Sequence, residues 1–199
     1  MPRPSQKHKI LQAALESFAD LGYDATRVRH VAERAGVSEA ALYRHYPSMQ
    51  ALAQELFTHH FAGFAARLDD ATSTGTAEER LRAAVRATLA VYREDPAAFT
   101  FALQRTPALL PNLPAGTRYP LEIIERVIAA GQRKHELRAG QPNLLAAIFL
   151  GCVLQPIVLT GLAAPGAMVL IGETKHDQVI EDAAVAALRR PAGAADGRR

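Results

Sequence analysis

The sequence predicts an all-α protein in which an N-terminal head of three helices is joined to a larger helical body. Apolar residues recur at intervals of three and four, the spacing that gathers them on one face of a helix. Strand signals are nearly absent, since no Asn-Gly or Asp-Gly dipeptide separates two alternating runs. Glycines, prolines and capping residues divide the chain into segments of helical length.

The first quarter of the chain divides into short helices with clear end signals. A helix is predicted over 10–21, and Gly22 ends it because glycine readily adopts the left-handed conformation that closes a helix. Thr26 is a good N-cap for a second short helix, which Gly36 ends. Ser38 follows only two residues later and caps a third helix.

The remaining sequence predicts longer helices and one irregular segment. The helices are expected over 49–70, 77–94, 97–105, 120–136, 142–163 and 174–190. Residues 106–120 contain four prolines and a glycine, and this density of breakers predicts irregular structure. The tail over 191–199 is rich in small and charged residues, and we expect it to be disordered.

Composition and charge narrow the possible functions. Of the 199 residues, 49% are hydrophobic and 22% are charged, which is the balance of an ordinary soluble domain. The single cysteine, Cys152, excludes a disulfide framework and a multi-cysteine metal centre. The net charge of +3 is compatible with a polyanionic partner. No long apolar run follows the N-terminus, so we expect no signal peptide and a cytoplasmic protein.

A helix-turn-helix is the feature of the sequence that points to function. Residues 35–38 join two short helices by a turn of the length and glycine content that this motif needs. We expect four side chains to be buried beneath the second helix: Val31, Val37, Leu42 and Tyr46. The outward face then carries Glu39, Ala40, Ala41, Tyr43, Arg44 and His45. Small residues let the backbone approach base edges, and Tyr43, Arg44 and His45 can donate to phosphates, so the motif over about 27–46 predicts DNA binding.

Residues 10–56 resemble the N-terminal domain of the tetracycline-repressor (TetR) family. The motifs that carry the resemblance are Thr26-Arg27-Val28-Arg29-His30-Val31-Ala32, Ala35-Gly36-Val37-Ser38 and Leu42-Tyr43-Arg44-His45-Tyr46. The resemblance implies a DNA-binding domain over 5–56 and an all-α effector-binding and dimerisation domain over 57–190. It further implies a homodimeric transcription regulator, usually a repressor, that binds operator DNA and responds to a small effector. No cofactor and no metal are implied.

By position, the resemblance assigns operator contacts to residues in and around the helix-turn-helix. These are Thr26, Arg29, Ser38, Glu39, Ala40, Ala41, Tyr43, Arg44 and His45. The chain departs from the family just after the N-cap of the fourth helix, where the family usually has a lysine that meets a phosphate and this chain has Met49. We therefore expect one phosphate contact to be missing, or to be supplied by Arg44 or Arg27.

The aromatic residues and few polar residues of the predicted body are the candidates for an effector pocket. They are Phe61, Phe64, Tyr92, Phe99, Phe101, Gln104, Tyr119 and Gln155. Each of them, taken singly, is more often a core residue than a ligand contact. Together they suggest apolar walls with a few polar groups, which favours an apolar or amphipathic small molecule.

The last two long helices, over 142–163 and 174–190, are expected to form a homodimer. The first is too apolar to face water, and a matching stripe on the second carries Val179, Ile180, Ala183 and Ala187. A dimer also suits DNA recognition, because two heads about 34–36 Å apart combine the few base pairs that one helix reads.

Three alternatives remain at this stage. The uncharged segment 144–172 leaves open a helical membrane-associated protein, although Pro156 near its middle weighs against a membrane span. A metal site at His59 and His60 is disfavoured, because adjacent helical residues point about 100° apart and no third ligand is in register. An enzyme is not expected, since the sequence lacks the nucleophile-elbow, phosphate-loop and zinc-protease motifs.

Overall fold

The computed structural model describes residues 5–162 and 174–191, and over these residues the chain is helical and contains no strand. The all-α prediction is therefore confirmed. The helices are α1 (Gln6–Leu21), α2 (Val28–Ala35), α3 (Glu39–His45), α4 (Met49–Ala71), α5 (Ala77–Glu94), α6 (Pro96–Leu109), α7 (Pro120–Arg133), α8 (Pro142–Leu162) and α9 (Lys175–Ala186), with a 3-10 turn at Leu110–Asn112.

The described residues form two compact units. The head unit comprises residues 5–62 together with 95–117. The body unit comprises 63–94 together with the described residues from 118 onward. Helix α4 contributes its first part to the head unit and its last part to the body unit.

The core of the head unit fixes the two short helices. Ile10, Ala14 and Phe18 lie four residues apart along one face of α1 and are buried. Val31 of α2 and Leu42 of α3 are fully buried, and α2 packs against both α1 and α3. Burial of these side chains stabilises one arrangement of α2 and α3, which gives the helix-turn-helix its fixed geometry.

A second contact in the head unit joins α1 to α6. Phe18 of α1 stacks on Phe101 of α6, with ring centroids 5.2 Å apart and planes 12° from parallel. The guanidinium of Arg105 lies over the ring of Tyr23, 4.1 Å from its centroid, which is a cation–π contact. Helix α6 therefore completes the core on which the helix-turn-helix is built.

The body unit is a packed set of helices in which α7 contacts α5 and α8, and α9 contacts the same two helices. Its core includes Leu81 and Leu89 of α5, Ile124 and Ile128 of α7, and Phe149 of α8, each of them almost completely buried.

Ion pairs hold α9 against α5 within the body unit. The carboxylate of Glu181, which is 5% exposed, accepts hydrogen bonds from Arg82 at 3.0 Å and from Arg86 at 3.0 and 3.1 Å. Arg82 also reaches the exposed Asp182 at 2.8 Å. Because a buried carboxylate is costly unless such donors satisfy it, this cluster selects one register of α9 on α5.

Most predicted helix limits are close to those observed, and the differences have local causes. Helix α1 begins at Gln6 rather than 10, because the side chain of Ser5 accepts a hydrogen bond from the His8 N–H at 3.2 Å and caps it. Helix α7 ends at Arg133 rather than 136, just before His135 adopts a φ of 58°. Helix α9 ends at Ala186 rather than 190.

The prediction of irregular structure over 106–120 is wrong at its start. Helix α6 continues through Pro107 to Leu109, and the 3-10 turn follows. Pro107 removes one helical hydrogen bond. The buried Leu109 side chain and a 3.3 Å bond from Gln54 Nε2 to the Leu109 carbonyl nevertheless stabilise the last turn.

Helix α8 is the one described helix that is long and apolar enough to cross a membrane, over Pro142–Thr160 at a mean hydropathy of 2.0. Length and composition are weak evidence, because the core helix of a soluble protein has the same properties. In the structure α8 packs on α7 and α9 and buries Leu145, Phe149 and Val153. Residues 163–173 and 192–199, which include parts of the predicted 144–172 segment and of the predicted tail, lie outside the described residues.

Candidate nucleic-acid interface

The turn between α2 and α3 sets the direction of the second helix. Gly36 has a φ of 66° and a left-handed conformation, which a residue with a side chain adopts only at a cost. The N–H of Gly36 donates to the Glu33 carbonyl at 3.1 Å, and the N–H of Val37 donates to the Ala32 carbonyl at 3.0 Å. These bonds close α2 within two residues and allow Ser38 to start α3.

Helix α3 presents one face outward because its other face is buried. The side chain of Ser38 accepts a hydrogen bond from the Ala41 N–H at 3.1 Å and caps the helix, as predicted. Leu42 is fully buried and Tyr46, which follows the helix, is 3% exposed. Tyr43 is in contrast 50% exposed, and the neighbouring Arg44 and His45 are also exposed. The predicted orientation of these three side chains is confirmed.

Ala41 does not face outward as predicted. It is 5% exposed and packs in the head unit, whereas Glu39 and Ala40 are exposed. The reason is helical geometry, since Ala41 lies next to the buried Leu42 and four residues after the half-buried Val37. The outward face of α3 therefore consists of Glu39, Ala40, Tyr43, Arg44 and His45.

Thr26 also has a different role from the one predicted. It is 4% exposed, and its hydroxyl lies 2.7 Å from the Gly22 carbonyl and 3.1 Å from the Ser17 carbonyl. The N-cap of α2 is Arg27. Thr26 therefore ties the α1–α2 connection to α1, and its buried side chain is not placed to contact DNA.

The start of α2 brings cationic groups beside the first residue of α3. A surface depression of about 460 Å³ is lined by Arg27, Val28, Arg29 and Glu39. Arg27 donates through Nη1 to the Asp24 carbonyl at 2.8 Å, and its N–H donates to His30 Nδ1 at 3.1 Å. The sequence pattern gave no sign of this depression, because Arg29 and Glu39 are ten positions apart and meet only through the turn.

An ion pair from α1 supports the end of α3. Lys7 Nζ lies 2.7 Å from Glu55 of α4 and 5.8 Å from the centroid of the Tyr46 ring. Burial, and then the neighbouring Glu55, raise the pKa of Tyr46 well above its ordinary value, so this phenol stays neutral. Lys7 thus holds α1, α4 and Tyr46 together.

The exposed groups suit the phosphate backbone and base edges of duplex DNA. Guanidinium groups and the Tyr43 phenol can donate to phosphates, and the small Ala40 lets the helix backbone come close to base edges. Ser48 caps α4 by accepting from the Ala51 N–H at 3.0 Å, and the half-buried Met49 follows at the first position of that helix. The fold and this surface define the class of motif: a helix-turn-helix of the kind that DNA-binding proteins use.

Comparison with known proteins gives the family. Residues 10–56 match the family model described as bacterial regulatory proteins, tetR family. Residues 10–56 therefore match the N-terminal domain of that family, and the resemblance found in the sequence is confirmed. Among curated relatives, the HTH-type transcriptional activator FasR of Mycolicibacterium smegmatis is 38% identical over 88 residues. That match covers 44% of this chain and 40% of FasR, so the aligned part spans about two fifths of the relative's length.

Solved structures match over nearly the whole chain. A bacterial regulatory protein of the tetR family from Rhodococcus RHA1 has a TM-score of 0.76 at 18% identity, covering 94% of this chain and 98% of that one. AibR, solved in complex with isovaleryl coenzyme A and operator DNA, has a TM-score of 0.70 at 20% identity, covering 93% and 98%. At these identities the matches show the fold. Together with the match of residues 10–56, this fold argues against the membrane-associated alternative.

The residues predicted to line an effector pocket are divided between the two units. Phe61, Phe99, Phe101 and Gln104 belong to the head unit, and Phe64, Tyr92, Tyr119 and Gln155 to the body unit. In the head unit Phe61 packs beside Phe57, with centroids 5.1 Å apart, and Phe101 stacks on Phe18. In the body unit Gln155 is exposed on α8. The pocket itself stays a prediction.

The histidine pair on α4 shows no metal-site arrangement. No cluster of three or more potential ligands occurs within the described residues. His59 and His60 lie with ring centroids 5.1 Å apart in an edge-on arrangement. Burial, and then His59, lower the pKa of His60, with Asp95 acting in the opposite direction. A neutral, half-buried His60 is the form that this environment favours.

Proposed function

We propose that the protein is a homodimeric transcription regulator that binds an operator through the exposed face of α3 and the start of α2. The observation that carries the proposal is the orientation of Tyr43, Arg44 and His45, which the burial of Leu42 and Tyr46 directs away from the core. The match of residues 10–56 to the tetR family supports it. A regulator of this kind works in the cytoplasm and needs no catalytic activity.

The dimer is proposed from an exposed apolar stripe in the body unit. Leu144, Ile148 and Leu159 of α8 are 57%, 44% and 46% exposed, and Val179 of α9 is 68% exposed. Ala183 is exposed on the same face of α9 as Val179. Such a patch is unfavourable in water, and a second copy of the chain would cover it.

Not every residue of the predicted dimer stripe is on this surface. Ile180 is 8% exposed and belongs to the core of the body unit, and Ala187 is half-buried. Of the predicted stripe, Val179 and Ala183 are therefore the residues that are exposed on α9. This surface of α8 and α9 is the proposed contact between protomers.

The effector is proposed to be an apolar or amphipathic small molecule whose binding weakens operator binding, so that the protein acts as a repressor. The predicted pocket residues are largely aromatic, which suits an apolar group with a few polar contacts. An effector can shift the DNA-binding equilibrium only by its difference in affinity between the two states. AibR, a protein of the same fold, was solved with isovaleryl coenzyme A, which makes acyl thioesters sensible first probes.

DNA binding is tested by selection of genomic fragments. The purified full chain is incubated with sheared genomic DNA of its source organism, and bound fragments are sequenced. We expect a small set of fragments that share an inverted repeat, because a symmetric dimer reads two half-sites. Retention of all fragments equally at physiological salt would contradict the proposal.

The effector is tested separately on the selected operator. Short-chain acyl-CoA thioesters, free fatty acids and coenzyme A alone are titrated into the complex while fluorescence anisotropy follows release of the DNA. We expect release by an acyl compound and none by coenzyme A alone. If no compound releases the operator or raises the melting temperature of the protein, the effector class is wrong, and the DNA-binding proposal is unaffected.

A further inference from the structure

The depression at the start of α2 contains one anionic side chain in an otherwise cationic surface. Glu39 is the first residue of α3 and is exposed. Within the described residues the Glu39 carboxylate has no hydrogen bond and no ion pair, although Arg27 and Arg29 line the same depression. It is thus available to a ligand that enters the depression.

A carboxylate at a DNA-binding surface is unfavourable unless it meets a hydrogen-bond donor. Phosphate oxygens repel it, and the loss of water around an unpaired charge is costly. The donors that the major groove offers are the amino groups of cytosine and adenine. A binding site that lacks such a group opposite Glu39 is therefore rejected, which is a source of specificity.

Cytosine fits a carboxylate better than adenine does. An ionised carboxylate can only accept hydrogen bonds. Adenine presents its N7 acceptor beside the N6 amino group, so one carboxylate oxygen would face a lone pair, whereas cytosine presents only the N4 amino group. The exposed Ala40 beside Glu39 has no long side chain that would hold the helix away from base edges.

We propose that Glu39 is a specificity-determining residue that selects a cytosine in each half-site by accepting a hydrogen bond from its N4 amino group. The inference rests on the proposed operator binding and adds the identity of one base. The substitution Glu39→Gln provides a sharp test, because a glutamine amide both donates and accepts and matches the N6 and N7 positions of adenine.

The experiment is selection of randomised duplex DNA by the full chain, followed by sequencing. Three proteins are compared: the wild type, Glu39→Gln and, as a matched control, Glu33→Gln. Glu33 is an exposed carboxylate on α2 that does not line the depression. Thermal melting of the three proteins checks that all are folded.

We expect the wild type to prefer cytosine at one position of each half-site by about 5- to 150-fold, the discrimination that a well-placed base contact gives. Glu39→Gln should change the preferred base at that position to adenine and leave the other positions as they were, and Glu33→Gln should select the wild-type site. The same selected sequence for wild type and Glu39→Gln would overturn the inference while leaving the proposed function intact. Failure of the wild type to enrich any sequence would contradict the proposed function itself.

Discussion

Two buried side chains decide which residues of α3 can reach a ligand. Leu42 of α3 and Tyr46, the residue that directly follows the helix, are both buried. Tyr43, Arg44 and His45 are consequently exposed, and this much followed from the sequence. The burial of Ala41 and Thr26 did not follow from the sequence. Small and polar side chains add little to a hydrophobic periodicity, and whether they are buried depends on the residues that pack over them.

Replacement of Arg44 by alanine tests the phosphate-binding role of this face. A guanidinium at a phosphate releases a bound counterion, so Arg44→Ala should weaken binding to all sequences and lower the slope of log affinity against log salt by about 1. Operator affinity at several salt concentrations measures both effects. An unchanged slope would show that Arg44 does not meet a phosphate. Gln12→Ala, at an exposed position on α1, serves as the control.

Substitution of Met49, the first residue of α4, by lysine should strengthen DNA binding, whereas Arg44→Ala should weaken it. Met49 stands where the family usually has a phosphate-binding lysine, and it is half-buried. Met49→Lys should strengthen DNA binding and steepen the salt dependence by about 0.9 in slope, while Met49→Leu should leave both unchanged. A Met49→Lys protein with wild-type affinity and slope would place this position away from the DNA backbone.

At the scale of single helices, tertiary contacts outweigh local signals. Pro107 and its neighbours predicted irregular structure, yet α6 continues to Leu109 because that residue is buried and its carbonyl is paired with Gln54. The sequence pattern located α6 only approximately, and it gave no indication that Phe101 would stack on Phe18. Contacts between residues more than eighty positions apart leave no local periodicity from which they could be inferred.

The ion-pair cluster between α5 and α9 provides a prediction at this scale. Glu181 is buried and accepts from both Arg82 and Arg86. Glu181→Gln should lower the free energy of unfolding by about 1–3 kcal/mol, because it removes a charge-assisted pairing from a partly screened site. Chemical denaturation measures this change.

Asp182 is the matched control for that substitution. It bonds the same Arg82 at 2.8 Å, but its side chain is 56% exposed. The hydrogen bond from Arg82 is the main cause of the lowered pKa of Asp182. Because this pair is exposed, water screens it strongly. Asp182→Asn should therefore change stability little. An equal decrease in the free energy of unfolding for the two substitutions would mean that the burial of Glu181 adds nothing to the stability that its ion pairs provide.

At the scale of the whole molecule, binding to two half-sites requires two copies of the chain. A glutamate in the exposed stripe of α8 and α9 would be buried without a partner on dimerisation, so Ala183→Glu should shift the protein to monomers at micromolar concentration. Light scattering coupled to size exclusion measures the mass. Leu121→Glu, at an apolar position on α7 that is 40% exposed, should remain dimeric. A monomeric wild type, or a dimeric Ala183→Glu variant, would contradict this interface.

The fold class and the helix-turn-helix could be predicted from the sequence because both rest on short-range spacing. Gly36, Ser38 and the Leu42–Tyr46 pair lie within eleven residues and define the motif on their own. The grouping of the effector-pocket residues could not be predicted from short-range spacing, because it depends on long-range packing. The structure assigns these residues to two units.

The proposed function requires the exposed face of α3 to bind a specific operator. Its most direct test is the affinity of the wild type and of the Tyr43→Ala/His45→Ala variant for the operator selected from genomic fragments, measured by anisotropy at one fixed salt concentration. We expect at least a tenfold weaker complex for the variant, since each good contact contributes about 1–3 kcal/mol. The melting temperature should be unchanged because both side chains are exposed. A folded double variant that binds the operator as tightly as the wild type would contradict the proposed function.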